Sequence, residues 1–413
     1  MRWGFLDADG GWALEPAFEA VGPFSEGLAA ARDGAWGYVD GSGATVISFE
    51  LSFAGEFRRG MANAARPDTP GRFVDRTGRG LPYDERLSFE RRPELIGVSG
   101  YREKWDGTRS GSRAGVLAAD SLEELLPVRF AKVTDVGPHF LAAIDDAART
   151  PKTVLFDENF EPVTELPIQW KTAYIAGDYL VFNVLELDRR SSEIAIYGAE
   201  TFERVATFED RRYVRMGYDT ERGAYWLLRQ RRRHRLDDAL RLTGEVLPPK
   251  PASSPVTVVK SGKRSRVEFD GETCPIEMDG THPVGGKDGS TIWAMVKSGK
   301  TKRWGLLGAG GWVLEPEHEL FERDGPYWRL GALGAEGLVD GSGRWLLEPI
   351  HTRVRHCGEH GHAFYEGGKA YKNGNLKGGM WRVTEVDGSL LCKESFADVG
   401  EWREGRLAAA VDD

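Results

Sequence analysis

Short apolar runs alternate with turn residues along nearly the whole chain, and no long run has the apolar spacing of a helix. Residues 2–16 set the pattern. Arg2-Trp3-Gly4-Phe5-Leu6-Asp7 leads through a polar turn to Trp12-Ala13-Leu14-Glu15-Pro16. Far along the chain the phrase returns as Arg303-Trp304-Gly305-Leu306-Leu307, a glycine turn and Trp312-Val313-Leu314-Glu315-Pro316. The fullest unit reads as a strand at Gly27–Arg32, a second at Trp36–Asp40, and a hairpin turn at Gly41-Ser42-Gly43. A third strand follows at Thr45–Ser48, then a shorter fourth at Phe53–Phe57. Glycine and aspartate supply the positive φ and the local side-chain bonds that such hairpins need. Pro16, Pro316 and Pro349 are expected to end the third strand, because proline offers a ladder no donor. The best helical candidate, Ser121–Leu126, is one or two turns long.

The unit recurs with drift. Second strands are expected to begin near Trp3, Trp36, Arg72, Ala114, Lys152, Glu193, His234, Trp304, Glu336 and Met380, with another near Arg264. That gives ten or eleven units of about 30–43 residues, the range of short β-repeat families. Residues 139–219 lose the Trp-Gly pair but keep the rhythm, in Tyr179–Val184, Glu193–Tyr197 and Arg204–Phe208. Units of this kind bury their apolar faces only against their neighbours.

The phrase Trp-Gly-aromatic-aliphatic-Asp, a turn, then Leu-Glu-Pro resembles the WG-repeat family of bacterial proteins. So does the phrase Phe24-Ser25-Glu26-Gly27-Leu28-Ala29-Ala30-Ala31, repeated at Arg403-Glu404-Gly405-Arg406-Leu407-Ala408-Ala409-Ala410. The match is clear at 1–66, 303–349 and 379–413, with diverged repeats over 67–302, so that residues 1–413 read as a single β-repeat assembly. The resemblance implies an all-β array and brings no enzymatic activity, cofactor or catalytic residue with it. The chain opens at a second strand, Trp3–Asp7, and closes with a first strand, Leu407–Val411. Pairing of these halves in one unit predicts a propeller-like ring of short antiparallel sheets closed by its terminal strands. An open β superhelix or two propellers are the alternatives.

Composition narrows the function classes. Forty per cent of the 413 residues are apolar, enough for a packed core. The net charge of −9 argues against nucleic acid as a partner, since phosphate binding needs a positive footprint. Cys274, Cys357 and Cys392 are odd in number and widely spaced, which argues against a disulfide framework and for a reducing compartment. Repeat sequence begins at once after Met1, and no apolar run approaches membrane-spanning length. The expectation is therefore a cytoplasmic protein with no leader and no membrane partner.

Candidate chemistry is sparse. Trp3, Trp36, Trp304, Trp381, Trp12, Trp312 and Trp345 recur in register, and fill the space between sheets more readily than they line a binding groove. Asp7-Ala8-Asp9-Gly10 resembles the start of a calcium loop but lacks the later ligands, and its sister Gly308-Ala309-Gly310-Gly311 has no carboxylate; a hairpin turn satisfies both. His351–His362 holds half of the eight histidines beside Cys357 and Glu359, in a spacing that matches no zinc pattern, with Arg353 and Arg355 opposing a cation. No metal or other cofactor is expected. Arg229, Arg231, Arg232, Arg233 and Arg235 form the strongest charge run, expected on a connector and enlarged by Ser261–Arg266. No nucleophile elbow, phosphate loop or zinc-protease motif is present.

These features predict a non-enzymatic protein-interaction scaffold of inhibitor or immunity type. Arg229, Arg231, Arg232, Arg233, Arg235, His356, His360 and His362 are the contact candidates, and the expected partner is a protein with an acidic patch. The alternatives are a hydrolase or lyase acting on a glycan or small metabolite in a central channel, and a polyanion binder using the arginine run.

Overall fold

The structure, a computed structural model, describes residues 1–65, 73–83, 85–89, 92–103, 109–137, 141–145, 152–184, 192–210, 214–229, 232–247, 256–261, 264–269, 272–282 and 290–412. The described elements are all strands. They fall into eleven short antiparallel sheets and one two-stranded hairpin at residues 369–377, mostly four-stranded with the strands adjacent in chain order. Counted along the chain, sheet 1 comprises residues 398–411 with 2–18, and sheet 2 residues 20–51. Sheets 3 to 7 lie at 53–81, 85–130, 132–166, 170–210 and 215–247. Sheets 8 to 11 lie at 256–273, 280–318, 320–351 and 353–385. Two compact units emerge: residues 1–57 with 252–413, and residues 58–251. Each holds its own run of apolar clusters between successive sheets.

The chain ends meet as the sequence predicts. Arg2–Leu6 runs antiparallel to Arg406–Val411, with Arg2 opposite Val411 and Phe5 opposite Ala408. Two strands of sheet 1 thus come from each end of the chain. A second stitch joins sheet 1 to sheet 2. Glu404-Gly405 and Glu26-Gly27 are hairpin turns with positive φ at both residues, 51° and 72°, then 55° and 78°. The Glu404 carboxylate accepts the backbone N–H groups of Glu26 (2.6 Å) and Gly27 (2.8 Å).

Trp-Gly has a geometric cause. In sheets 1, 2, 4, 9 and 10 the last strand bulges opposite the residue after the Trp position. Trp36 faces Leu51 and Tyr38 faces Ile47, so two residues of one strand span four of the other; the same break recurs around Gly4, Gly115, Gly305 and Gly337. The bulged backbone folds onto the glycine: a Cβ at Gly37 would lie 2.6 Å from the Ile47 carbonyl oxygen, and one at Gly337 2.6 Å from that of Leu347. Sheets 5 and 6 carry Val154 and Ala195 at this position, and there the pairing runs in register, with a shift only nearer the turn. Sheet 7 has no glycine here and still breaks register, His234 facing Val246 and Leu236 facing Leu242. Proline takes part in the bulge: Pro16, Pro316 and Pro349 lie inside their strands, and pairing resumes at Phe18, His318 and His351. The expectation that these prolines end the strand is corrected accordingly.

In six of the sheets the hairpin before the last strand is held by one aspartate. Asp7, Asp40, Asp75, Asp157, Asp237 and Asp340 each accept, on a single carboxylate oxygen, the backbone N–H groups two and four residues on, at 2.8–3.1 Å. Hydrogen bonds from the Ser42 hydroxyl and N–H hold the Asp40 carboxyl below the usual carboxylate range. Three residues on, φ is positive: Gly43 at 85° and Gly343 at 92°, but Phe160 at 64° and Leu240 at 58° in the diverged sheets. Leu240 is buried, so apolar burial offsets the strain of its left-handed backbone. The rhythm survives where its glycine does not.

Two further expectations change. Ser121–Leu126 is not helical: Leu122 sits in a turn at φ 58° and Glu124–Phe130 is the last strand of sheet 4. The strand at Phe53–Arg58 is not the fourth of the Gly27 unit, since sheet 2 is completed by Ala20–Ser25 at its start and Thr45–Leu51 at its end. The second-strand positions near Trp3, Trp36, Ala114, Lys152, Glu193, His234, Arg264, Trp304, Glu336 and Met380 all fall in or at the edge of strands; Arg72 lies outside the described residues, one residue before Phe73–Asp75.

Candidate interaction site

The histidine cluster is built on the first hairpin of sheet 11. His356 closes Arg353–His356 and His362 follows the start of Gly361–Glu366, so the two are direct cross-strand partners. Their Nδ1 atoms are 3.3 Å apart. Tyr327 of sheet 10 lies edge-on to both rings, at 5.0 and 5.1 Å between centroids. His362 is fully buried, and its Nε2 has no hydrogen-bond partner. Burial, then the neighbouring His356, pushes its pKa down to about 4; burial also lowers that of His356, against the pull of Asp324 and Glu401. Burial pushes the Cys357 thiol up to about 12. His360 stays exposed at the turn, its ring edge-on to Trp402 at 5.7 Å. The three histidines therefore separate into a buried pair and one surface ring. Among the described residues no group of three or more His, Cys, Asp or Glu side chains converges to hold a metal.

A neutral, buried His362 has a sign-definite consequence. Its folded pKa lies below the ordinary histidine value, so below about pH 6.5 the unfolded chain takes up a proton that the folded chain refuses. Stability is full above that pH and falls by roughly 2–3 kcal/mol as the pH drops towards 4. Denaturant titrations between pH 7 and 4 are expected to show a clearly flatter profile for His362→Phe; an unchanged slope would refute the assignment.

Around this pair three hairpins open onto one cleft of about 460 Å³. Sheet 10 supplies Asp324-Gly325-Pro326-Tyr327, sheet 11 supplies His356, Gly358 and Glu359, and sheet 1 supplies Glu401-Trp402-Arg403. Asp324 accepts the backbone N–H of His356 (2.9 Å), and Trp402 donates its backbone N–H to the Cys357 carbonyl, which locks the three turns together. Three carboxylates face one guanidinium, Arg403, which is 3.2 Å from Glu401. Asp324, Tyr327, Glu401 and Trp402 escaped the sequence reading because nothing local marks them; the first two are brought in by sheet 10 and the last two by sheet 1.

The arginine run fares differently. Arg232, Arg233 and Arg235 lie within the strand Arg232–Leu236 of sheet 7 rather than on a connector, and Arg231 lies outside the described residues. Arg229 pairs with Asp210 (2.6 Å), Arg235 with Glu245 (3.1 Å), and Arg233 stacks over Trp226 at 4.8 Å; Arg232 is exposed. The second basic run is engaged too, with Arg266 2.8 Å from Glu277 and Arg264 3.9 Å from Asp279. The tryptophans pack between sheets as expected: Trp304 stacks on Phe321 of the next sheet at 4.2 Å. Asp7 closes its own hairpin, as the turn reading requires.

Residues 3–34 and 36–64 match the family described as WG containing repeat. The first matched segment spans two strands of sheet 1 and two of sheet 2, so the sequence repeat runs out of phase with the sheets. No curated protein sequence matches the chain. Solved structures similar to it include a eukaryotic initiation factor, at 9% identity over 99% of this chain and 97% of that chain, with a TM-score of 0.34. Another is the β-propeller domain of the trilobed protease from Pyrococcus furiosus, at 10% identity over 74% and 94%, with a TM-score of 0.27. Pyrococcus horikoshii acylaminoacyl peptidase matches at 11% identity over 76% of this chain and 52% of that chain, with a TM-score of 0.27. Residues 3–64 thus carry WG-containing repeats, in a chain whose described residues form a series of short antiparallel sheets. No helix among the described residues is long and apolar enough to cross a membrane.

Proposed function

We propose that this chain is a non-enzymatic protein-interaction scaffold whose contact surface is the cleft of sheets 10, 11 and 1. One observation carries the reading: hairpins from three successive sheets, cross-linked by backbone bonds, present their turns to one recess. Rigid strands that hold variable turns suit recognition. The partner chemistry follows from the lining. Asp324, Glu359 and Glu401 outnumber Arg403, so the cleft favours a partner that offers a basic segment. The acidic partner suggested by the arginine run has weaker support, because Arg229 is paired with Asp210 of sheet 6, and Arg233 and Arg235 are engaged within sheet 7. An inhibitor or immunity role corresponds to covering a basic segment of an enzyme or toxin.

The test compares two charge-reversed variants in capture from a native cytoplasm. A protein retained in stoichiometric amount by the unaltered chain is expected to be lost with Glu359→Lys/Glu401→Lys and kept with Arg232→Glu/Arg233→Glu. The opposite pattern would move the contact to sheet 7. Turnover of a glycan or small metabolite by the purified chain, abolished by the same cleft variant, would establish the hydrolase or lyase reading instead.

A further inference from the structure

The cleft occupies one end of sheets 10 and 11, and the hairpins at their other end carry the opposite charge. Sheet 9 lies the same way round. The Thr291 hydroxyl, at the start of its strand Thr291–Ser298, donates to the Gly341 carbonyl in a cleft-end turn of sheet 10 (3.1 Å). Its far-end hairpin carries Lys297, Lys300, Lys302 and Arg303, all exposed. In sheet 11 the far-end connection grows into the extra hairpin at 369–377, which carries Lys369, Lys372 and Lys377, also exposed. No carboxylate occurs in 290–314 or 367–384, and none of these cations has an ion pair among the described residues. Both hairpins set lysine directly against lysine, Lys297 opposite Lys302 and Lys369 opposite Lys377. Like charges facing each other across a strand pair oppose folding, and an anion held between them would offset the repulsion.

Between the two, the hairpin of sheet 10 is uncharged: Ala332-Leu333-Gly334-Ala335, with Leu333 52% exposed. Ile350, at the same end of the last strand of sheet 10, is 76% exposed. We propose that this end of sheets 9, 10 and 11 docks an acidic protein segment. Its carboxylates are held by the opposed lysines, and its apolar side chains cover Leu333 and Ile350. The extra hairpin is braced at its base, where Gly379 donates its N–H to the Tyr365 hydroxyl (2.9 Å) and the Thr352 hydroxyl donates to the Gly368 carbonyl (3.2 Å). The net charge of −9 disfavours a long polyanion such as nucleic acid, whose backbone also offers nothing apolar to Leu333 and Ile350. A flat anionic membrane would press on Glu319 and Glu366, exposed at this end, which a narrow segment can pass.

Selection from a random displayed peptide library on the full chain tests this surface. It is expected to enrich sequences that combine Asp or Glu with Leu, Ile or Phe. The most enriched of these, labelled and followed by fluorescence anisotropy, should lose roughly ten-fold in affinity with Lys302→Glu/Lys377→Glu. That variant turns both opposed lysine pairs into opposite charges, so it should melt at or above the parent temperature. Glu359→Lys/Glu401→Lys, at the cleft end, should bind the acidic peptide like the parent, which separates this surface from the cleft. Enrichment of no acidic sequence, or an affinity that Lys302→Glu/Lys377→Glu leaves unchanged, would overturn the proposal. So would phosphatidylserine vesicles or single-stranded DNA that bind as tightly as the peptide with the same dependence on Lys302 and Lys377.

Discussion

Replacing Gly37 by alanine is expected to cost about 3 kcal/mol, although the change adds one methyl group to an ordinary backbone conformation. The added Cβ would sit 2.6 Å from the Ile47 carbonyl oxygen and 2.9 Å from Phe49 Cδ1. The nearest obstacle is backbone, so rotating a side chain cannot relieve it; the Thr45–Leu51 strand must unbulge, and Leu51 would then lose its place opposite Trp36. Gly41→Ala is the control, since a Cβ there meets nothing within 4 Å, and it should stay within about 0.5 kcal/mol of the parent. Urea unfolding of the two variants side by side checks the contrast. Equal stabilities would show that the Trp-Gly glycine serves something other than the bulge.

Glu336→Gln is expected to be as costly, at about 3–5 kcal/mol, for an electrostatic reason. Glu336 stands where the sister units have tryptophan, immediately before Gly337, and is 1% exposed. Its carboxylate lies 2.9 Å from Arg353 Nε and 3.6 Å from Arg329 Nη1, and it accepts the backbone N–H of Val354 at 3.4 Å. Burial pushes the carboxyl up, while both arginines pull it back. Removing the charge leaves two guanidinium groups, about one fifth exposed, facing a neutral amide. Removing the pair together is a different matter. Glu336→Met with Arg353→Leu restores apolar packing between sheets 10 and 11, and should recover most of the loss. A double variant no more stable than Glu336→Gln would contradict this account.

Much of the architecture was readable because many of the hairpins before a last strand use a short local code. Asp40, Gly43 and their counterparts announce the turn, and Trp-Gly announces the bulge opposite it. What failed lacked such a code. The step from Leu51 to Phe53 contains no glycine, asparagine or proline, so the boundary between one sheet and the next strand was misplaced. Ser121–Leu126 looked helical because Leu122 occupies a left-handed position that glycine usually marks. The prolines were read as terminators, since a bulge that resumes pairing two residues later leaves no further sequence sign. The candidate site was half legible. His356 and His362 were singled out, but their cross-strand pairing against Tyr327 depends on which strands meet. The acidic cleft depends on three hairpins arriving together, which no local pattern encodes.

The account stands most directly on the two chain ends sharing one sheet. Arg2 and Val411 are direct antiparallel partners, so their Cα atoms lie within the span of about 4.4–6.8 Å that a disulfide bridges. With Cys392→Ser in place and Cys274 and Cys357 buried, Arg2→Cys/Val411→Cys should close an intramolecular disulfide under mild oxidation and raise the melting temperature. A folded double-cysteine chain whose two new thiols stay free under the same oxidation would contradict it.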